Sequence, residues 1–412
     1  MKNKFLLEMQ TRGYLNQSTN LDALDKICNK KSISGYIGFD CTASSLHVGS
    51  LLQIMILKLM QKHGHQPIVL LGGGTTLIGD PSGKDATRKI LDQKEINNNI
   101  QSIKKVFNKI LDTSNKKTRP IFVDNAKWLT KLNYIQFLRD IGSHFTINKM
   151  LTFDSVKLRL EREQSLSYME FNYMILQAYD FYQLFKSKKC VLQIGGSDQW
   201  GNIVNGVDLI RRMLKKESFG LTSPLITLAS GAKMGKTENG AVWLNEDLFS
   251  SYDYWQFWRN TDDRDVKRFL NFFTEIETNE INNLCDKEEN INNLKIILAN
   301  EVTKILYGET ASKKAEKTAK ETFQGTGVSQ GLPEIQVKLI KIKKGINLLE
   351  FLSDNKIMSS KSEARRAIDN KGIKINDVVI VNDKKNLQLS DFKNKTLKLS
   401  FGKKKHYLIK II

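Results

Sequence analysis

The sequence predicts an α/β protein: a Rossmann-like, parallel-sheet domain, then an all-helical domain, then a small α+β domain. Three observations carry this. Between residue 34 and about 228, β-branched and aromatic runs alternate with helical stretches. That is the pattern of a parallel sheet covered by helices on both faces. From about 245 to 325 only helical patterns continue. From 346 to 412 the chain holds 15 Lys and Arg against 7 Asp and Glu, and short strands return around one basic helix. The limits that follow are 1–244, 245–325, a linker at 326–345, and 346–412. A chain of 412 residues accommodates two or three such units.

Each element has a local reason. Phe5, Leu6, Met9 and Leu15 form the apolar side of a short N-terminal helix packing on the body. Strands are predicted at Ser34–Asp40, Pro67–Leu71, Pro120–Val123, Val191–Ile194 and Leu225–Leu228. Helices are predicted at Leu51–His63, Lys94–Leu111, Lys131–His144, Tyr168–Ser187 and Gln199–Leu214. The second domain includes helices at Asp265–Phe273, Ile281–Cys285 and Asn292–Leu306. Gly325, Gly327, Gly331 and Pro333 mark the linker, although Val337, Leu339, Ile340 and Ile342 also suit a strand. In the last domain Ser360 and Glu363 make a capping box for a helix that runs to Ile368, with Gly372 just past its end. Strands follow at Ile373–Ile375, Val378–Val381, Thr396–Phe401 and Tyr407–Ile411.

The net charge of +20 points to a polyanionic partner. Cys28, Cys41, Cys190 and Cys285 are scattered, with no paired spacing. That excludes a structural zinc pattern and a disulfide scaffold, and it suits a reducing, cytoplasmic setting. No apolar run reaches the ~18 residues of a membrane span. The N-terminal stretch carries acids among its bases, unlike a transit peptide.

The richest segment for chemistry is Gly38–Leu51. A strand ends in small and polar residues, and His47-Val48-Gly49-Ser50 then opens an apolar helix. A helix mouth offers unpaired N–H groups and a positive dipole end, so it favours a phosphate; His47 adds a donor. The second segment is Lys233-Met234-Gly235-Lys236-Thr237, two lysines three apart around a glycine. Such a loop suits a clamp on pyrophosphate as negative charge moves onto it. Tyr173, Gln177 and Asp180, at i, i+4 and i+7, share one helix face that presents a phenol, an amide and a carboxylate. Other patterns fail. Gly79–Asp85 lacks the spacing and the Ser/Thr of a P-loop, and Gly72–Gly74 lacks GxGxxG spacing. His63 and His65 read as helix-end and loop residues rather than metal ligands.

Together the two segments resemble the HIGH and KMSKS signatures of class I aminoacyl-tRNA synthetases. Tyr36–Asp40, Gly72–Lys84, Gln177–Asp180 and Gln193–Asn202 narrow the resemblance to bacterial-type tyrosyl-tRNA synthetases, over essentially the whole chain. The resemblance implies ligation of L-tyrosine to tRNA(Tyr) with ATP, Mg2+ accompanying the ATP, no resident metal or cofactor, and a homodimer. Tyr36 and Asp180 would bond the substrate phenol. Tyr173, Gln177 and Asp80 would receive its ammonium, and Gln199 would lie by its carboxylate. His47, Gly49, Gly38, Asp40 and Thr42 would line the ATP phosphates and the adenylate, with Gly196 and Asp198 at the ribose. Lys84 and Arg88 would close over pyrophosphate with Lys233 and Lys236. In the last domain, Lys361, Arg365, Arg366, Lys371, Lys403, Lys404 and Lys405 would contact RNA phosphates. Two departures stand out: Ser50 replaces the second histidine of HIGH, and the lysine loop ends Gly235-Lys236-Thr237. Phe137, Leu138, Phe145 and Met150 are apolar enough for a dimer face, and equally for core. The tryptophan-activating relative, an RNA-binding or splicing protein on a synthetase scaffold, and a generic nucleotidyltransferase remain as alternatives.

Overall fold

The N-terminal helix α1 (Lys4–Thr11) buries Phe5, Leu6 and Met9, as their spacing predicts, while Leu15 lies beyond its end and is half-buried. Asn3 caps it, accepting from the N–H groups of Phe5 and Leu6. The strand β1 (Gln17–Ser18) and the helix α2 (Leu21–Lys30) follow, and then the alternation begins: β2 (Ser34–Phe39), α3 (Leu51–Lys62), β3 (Gln66–Leu71), α4 (Gln93–Ile110), β4 (Ile121–Asp124). Four helices, α5 (Ala126–Leu129), α6 (Tyr134–Asp140), α7 (Ile147–Met150) and α8 (Asp154–Glu161), precede the long α9 (Tyr168–Lys188). The body closes with β5 (Cys190–Gly196), α10 (Trp200–Leu214) and β6 (Phe219–Ser223). The computed structural model describes residues 1–80, 91–231, 234–237, 240–323, 332–402 and 405–412, with backbone alone for Ser155, Lys236 and Thr237.

The main sheet has the order β1-β6-β5-β2-β3-β4. β2 pairs parallel with β3 and β5, and only β1 runs antiparallel, at the β6 edge. Strand order reverses between β2 and β5, so the crevice beyond their carboxyl ends is where such sheets bind ligands. Side chains alternate across the sheet. Tyr36, Ile68 and Leu70 face a core with Met174, Ala178 and Phe181 of α9 and Leu209 and Ile210 of α10. On the other face, Phe39 packs on Phe107 of α4, ring centroids 4.8 Å apart.

Two expected elements move. The last strand is β6 rather than Leu225–Leu228: Pro224 has no N–H for the ladder, and Leu225 is exposed. The helix expected over Lys131–His144 starts at Tyr134 instead, where the Asn133 side chain caps Gln136 N–H, and it ends at Asp140. Phe137 and Phe145 pack on the core and Met150 is part of it. The exposed apolar residues there are Tyr134, Ile135, Ile147, Leu151 and Tyr168.

The chain divides into two compact units: Met1–Gly235 with Trp243–Asn245 and Lys267–Lys287, and Lys236–Val242 with Glu246–Val266 and Glu288–Ile412. The second unit holds helices at Ser251–Arg259, Ile291–Tyr307 and Glu309–Phe323. Its C-terminal sheet has five strands, and Glu334–Val337 forms one edge, parallel to Lys405–Ile411. Leu339–Lys344, inside the stretch read as a linker, is helical. The basic helix is Lys361–Asp369. Ser360 caps Glu363 N–H as expected, but the Glu363 carboxylate reaches back to Ser359 N–H. At its C-terminus Lys371, not Gly372, takes the left-handed conformation, at φ +56°. Gly372 N–H bonds to Ala367 O and Lys371 N–H to Ile368 O, which closes a Schellman motif.

Candidate active site

At the carboxyl end of β2 the chain turns into a single 3-10 turn, Val48–Ser50, that runs into α3. The His47 Nδ1 accepts from Gly49 N–H at 3.0 Å. That bond places the ring proton on Nε2, the donor a phosphate oxygen would take. It also occupies the Gly49 N–H, which the sequence reading offered to phosphate. Ser50 makes no side-chain capping bond to α3.

Gly235 of the lysine loop meets this turn. It has φ +96°, and a Cβ there would stand 2.7 Å from His47 Nδ1 and 3.1 Å from Gly49 N. Glycine is required twice over, for the backbone angle and for the close approach. The two motifs, far apart in sequence, thus converge on one imidazole. Met234 is buried, and its N–H bonds to Ile226 O. Lys84, Arg88 and Lys233 lie outside the described residues, as do the side chains of Lys236 and Thr237.

The helix face predicted on α9 exists. Tyr173 and Asp180 are buried and Gln177 is half-buried between them. Tyr173 OH donates to Asp40 Oδ1 at 3.3 Å. Asp180 is 1% exposed, and each of its oxygens has a donor: Asn125 Nδ2 at 2.8 Å and Trp128 Nε1 at 2.7 Å. Burial pushes its carboxyl up to about 7; the two hydrogen bonds pull the other way, and the Asp124 and Asp40 carboxylates add to the rise. Sequence reasoning missed Asn125 and Trp128. Asn125 is fully buried and also accepts from Gly74 N–H, so it ties the glycine run to the Asp180 carboxylate.

Tyr36 is 1% exposed and its ring packs on Phe181, centroids 5.4 Å apart. Its hydroxyl is buried and has no hydrogen-bond partner among the described residues, and the Asp180 charge acts on it. A buried hydroxyl left unmade costs about 1–3 kcal/mol, so the position suits a ligand that brings the missing partner. Across the crevice, Gln199 Nε2 donates to Asp80 Oδ2 at 3.0 Å and Gln199 Oε1 accepts from Asn202 at 3.0 Å. Asp198 and Gly196 are neighbours at the end of β5, while Gly38 and Thr42 are exposed near the end of β2.

In the C-terminal module, Lys361 pairs with Glu350 at 2.7 Å and Arg365 with Asp383 at 2.9 Å, and Arg366 and Lys371 are exposed. Exposed pairs of this kind are weak and exchange readily for phosphates. Lys405 Nζ lies over the Phe401 ring. Lys403 and Lys404 lie outside the described residues.

A parallel sheet with a histidine at a helix mouth, a glycine loop against that histidine, and a buried polar cluster at the switch point defines a class I tRNA synthetase. Residues 29–324 match the family model of class I tRNA synthetases (W and Y), and residues 326–409 match that of the tyrosine–tRNA ligase SYY-like C-terminal domain. The chain is 60% identical over 410 residues to a tyrosine–tRNA ligase of Pelagibacter ubique, covering 100% of both. It is 51% identical over 413 residues to that of Rhodopseudomonas palustris, covering 100% of this chain and 99% of the relative. A C-terminally truncated mitochondrial tyrosyl-tRNA synthetase of Aspergillus nidulans superposes with TM-score 0.70 at 28% identity, over 78% of this chain and 95% of its own. The chain belongs to the tyrosine–tRNA ligase family.

Proposed function

We propose that this protein activates L-tyrosine with ATP, releasing pyrophosphate, and then passes the tyrosyl group to the 3′ end of tRNA(Tyr). The observation that carries the choice of amino acid is the buried Tyr36 hydroxyl, without a partner among the described residues and within the field of the Asp180 carboxyl. A substrate phenol donates its hydrogen to the Asp180 carboxylate and accepts one from Tyr36. Phenylalanine would leave both groups buried and unpaired. Tyr173, Gln177 and Asp80 receive the ammonium, and Gln199 orients the carboxylate toward the phosphate.

In the first step the tyrosine carboxylate attacks the α-phosphate in line and pyrophosphate leaves. No protein nucleophile or general base is needed, because a carboxylate is already ionised at neutral pH. Positioning and charge stabilisation supply the rate. His47 Nε2–H and Ser50 donate to phosphate oxygens, and Gly38, Asp40, Thr42, Gly196 and Asp198 hold the adenylate. Gly49 lets the His47 ring lie against its backbone, where a Cβ would stand 2.6 Å from the imidazole, and so serves the phosphates through His47. Lys84, Arg88, Lys233, Lys236 and Thr237 neutralise the leaving pyrophosphate. Mg2+ enters as the counter-ion of ATP, carried on its phosphate oxygens.

The C-terminal module binds the tRNA through Lys361, Arg365, Arg366, Lys371 and Lys403–Lys405. Domain limits at 244, 325 and 345 divide activation from RNA recognition. The exposed apolar residues Tyr134, Ile135, Ile147, Leu151 and Tyr168 supply the face of a homodimer. Among the described residues no helix is long and apolar enough to cross a membrane. We place the reaction in the cytoplasm, where its tRNA substrate is.

Amino-acid-dependent ATP–pyrophosphate exchange tests the reading with tyrosine, tryptophan and phenylalanine, and with Lys236→Ala as control. Exchange with tyrosine alone, lost in the variant, is expected. Exchange driven by tryptophan would move the protein to the relative's specificity. No exchange from folded protein that binds RNA would leave an RNA-binding role.

A further inference from the structure

We propose that Asn245 is a positioning residue for His47, an assignment that rests on the reading of His47 as a donor to the ATP phosphates. The loop that carries the two lysines re-enters the first unit at Trp243–Asn245. There it pairs with the segment leading into the His47 turn. Trp243 and His47 form an isolated antiparallel bridge, and Leu244 N–H bonds to Leu46 O at 2.9 Å. Two residues of pairing do not hold a register by themselves.

Asn245 supplies the lock. Its N–H donates to Ser45 Oγ at 3.1 Å, and its Nδ2 donates to Ser44 O at 3.2 Å and to Ser102 Oγ at 2.8 Å. Ser45 is itself buried, and its hydroxyl passes on to Leu46 O at 2.8 Å. One side chain therefore ties three segments together: the exit of the lysine loop, residues Ser44–His47, and α4 through Ser102. Leu244 is fully buried, so the exit strand cannot slide without exposing it.

The consequence falls on the imidazole. His47 lies against Gly235, whose added Cβ would stand 2.7 Å from Nδ1, and against the Trp243 ring, centroids 6.5 Å apart. Both neighbours belong to the two roots of the same loop. If the exit root shifts, the ring loses the wall that Trp243 provides while its bond to Gly49 N–H remains. A small displacement of a donor from a transferring phosphate costs rate rather than ground-state affinity for the amino acid.

The test is a double-mutant cycle on the full-length protein, read by tyrosine-dependent ATP–pyrophosphate exchange. Asn245→Ala is expected to lower kcat by roughly ten- to a hundredfold, with KM for tyrosine unchanged. The His47→Ala/Asn245→Ala double variant is expected to be no slower than His47→Ala alone, because the amide acts through the ring. Asn245→Asp can accept from the Ser102 hydroxyl but cannot donate to Ser44 O, so relative to Asn245→Ala it is expected to recover only part of the rate. A residue that only stabilised the fold would lower the active fraction, a loss that multiplies with that of His47→Ala and so shows no non-additivity. Parent-like kcat in Asn245→Ala, or losses that multiply fully in the double variant, would overturn the assignment. If Asn245→Ala does not fold, Ser102→Ala enters the same cycle: a kcat loss absorbed by His47→Ala supports the assignment and parent-like kcat overturns it. A parent with no tyrosine-dependent exchange refutes the reading of His47 and takes this assignment with it, a result distinct from an active parent whose Asn245 variant is unaffected.

Discussion

At the scale of single residues the decisive group is Asp180. Its folded-state pKa of about 7 lies above the ordinary carboxylate range because burial outweighs its two hydrogen bonds. The folded protein therefore holds this proton where the unfolded chain has lost it. The stability it contributes is full below about pH 4 and is lost as pH rises toward 7. Substrate binding runs the other way. A phenol donates best to an ionised acceptor, so tyrosine affinity should climb as pH rises through about 7 and then level off. Calorimetric titration with L-tyrosine in the absence of ATP isolates this from the His47 chemistry. Trp128→Phe removes a donor to the charged form, so its midpoint should lie higher still. A flat profile in the parent would assign the phenol to another acceptor. Much of this pocket was legible in the sequence, because Tyr173, Gln177 and Asp180 are spaced to share one helix face. Asn125 and Trp128 were not. They reach Asp180 across 55 and 52 residues, and only the parallel arrangement of the strands that leads into α5 brings them there.

Elements are tied by contacts of the same non-local kind. The amphipathic spacing of Phe5, Leu6 and Met9 announces α1, yet nothing in it announces that Arg12, just past its end, caps a helix some 260 residues later. Arg12 donates to Asn271 O at 3.0 Å, Thr274 O at 3.0 Å and Ile276 O at 2.9 Å, and Tyr14 OH donates to Phe272 O at 2.8 Å. Asn271 and Phe272 lie in the last turn of the helix Val266–Phe273 and Thr274 and Ile276 just beyond it, where a cation also suits the dipole. On the other side, Arg12 pairs with Glu8 at 2.8 Å. Burial would raise the Glu8 carboxyl, but hydrogen bonds from His63, Arg12 and Lys62 outweigh it and bring the pKa down to about 2. Arg12→Ala leaves the carbonyls and the Glu8 charge without their shared partner. It should cost roughly 3–5 kcal/mol, seen as a lower urea midpoint with little change in slope. Arg12→Lys should recover only part, since a single ammonium cannot match the guanidinium fork. The Glu8 share should persist above about pH 4.5 and fade as pH drops toward 2, the sense set by a lowered pKa. The misplaced last strand has an equally local cause. Leu225–Leu228 is apolar enough for a strand, but Pro224 stops the ladder one residue after Ser223, and apolar content alone does not show where a ladder ends.

Over the whole molecule the dominant quantity is charge, +20 in total, with the segment from 346 onward disproportionately basic. Charge of this sign attracts any nucleic acid, so it says little about which side chains touch the tRNA. The salt dependence separates these. Each phosphate neutralised adds about 0.7–0.9 to the slope of log affinity against log salt. If Lys361, Arg365, Arg366 and Lys371 each meet one phosphate, tRNA binding should weaken roughly a hundredfold between about 50 and 200 mM salt. Replacing Lys361, Arg365 and Arg366 together by Ala should make the slope shallower by about 2–3. Lys361 and Arg365 will also release Glu350 and Asp383, but those exposed pairs are worth well under about 1 kcal/mol each and cannot mask the change. Tyrosine-dependent exchange needs no tRNA, so it serves as the internal control and should be retained in the triple variant. A triple variant with the parent's slope and full exchange would move the RNA footprint off the Lys361–Asp369 helix and onto other lysines, even though the overall attraction stayed the same.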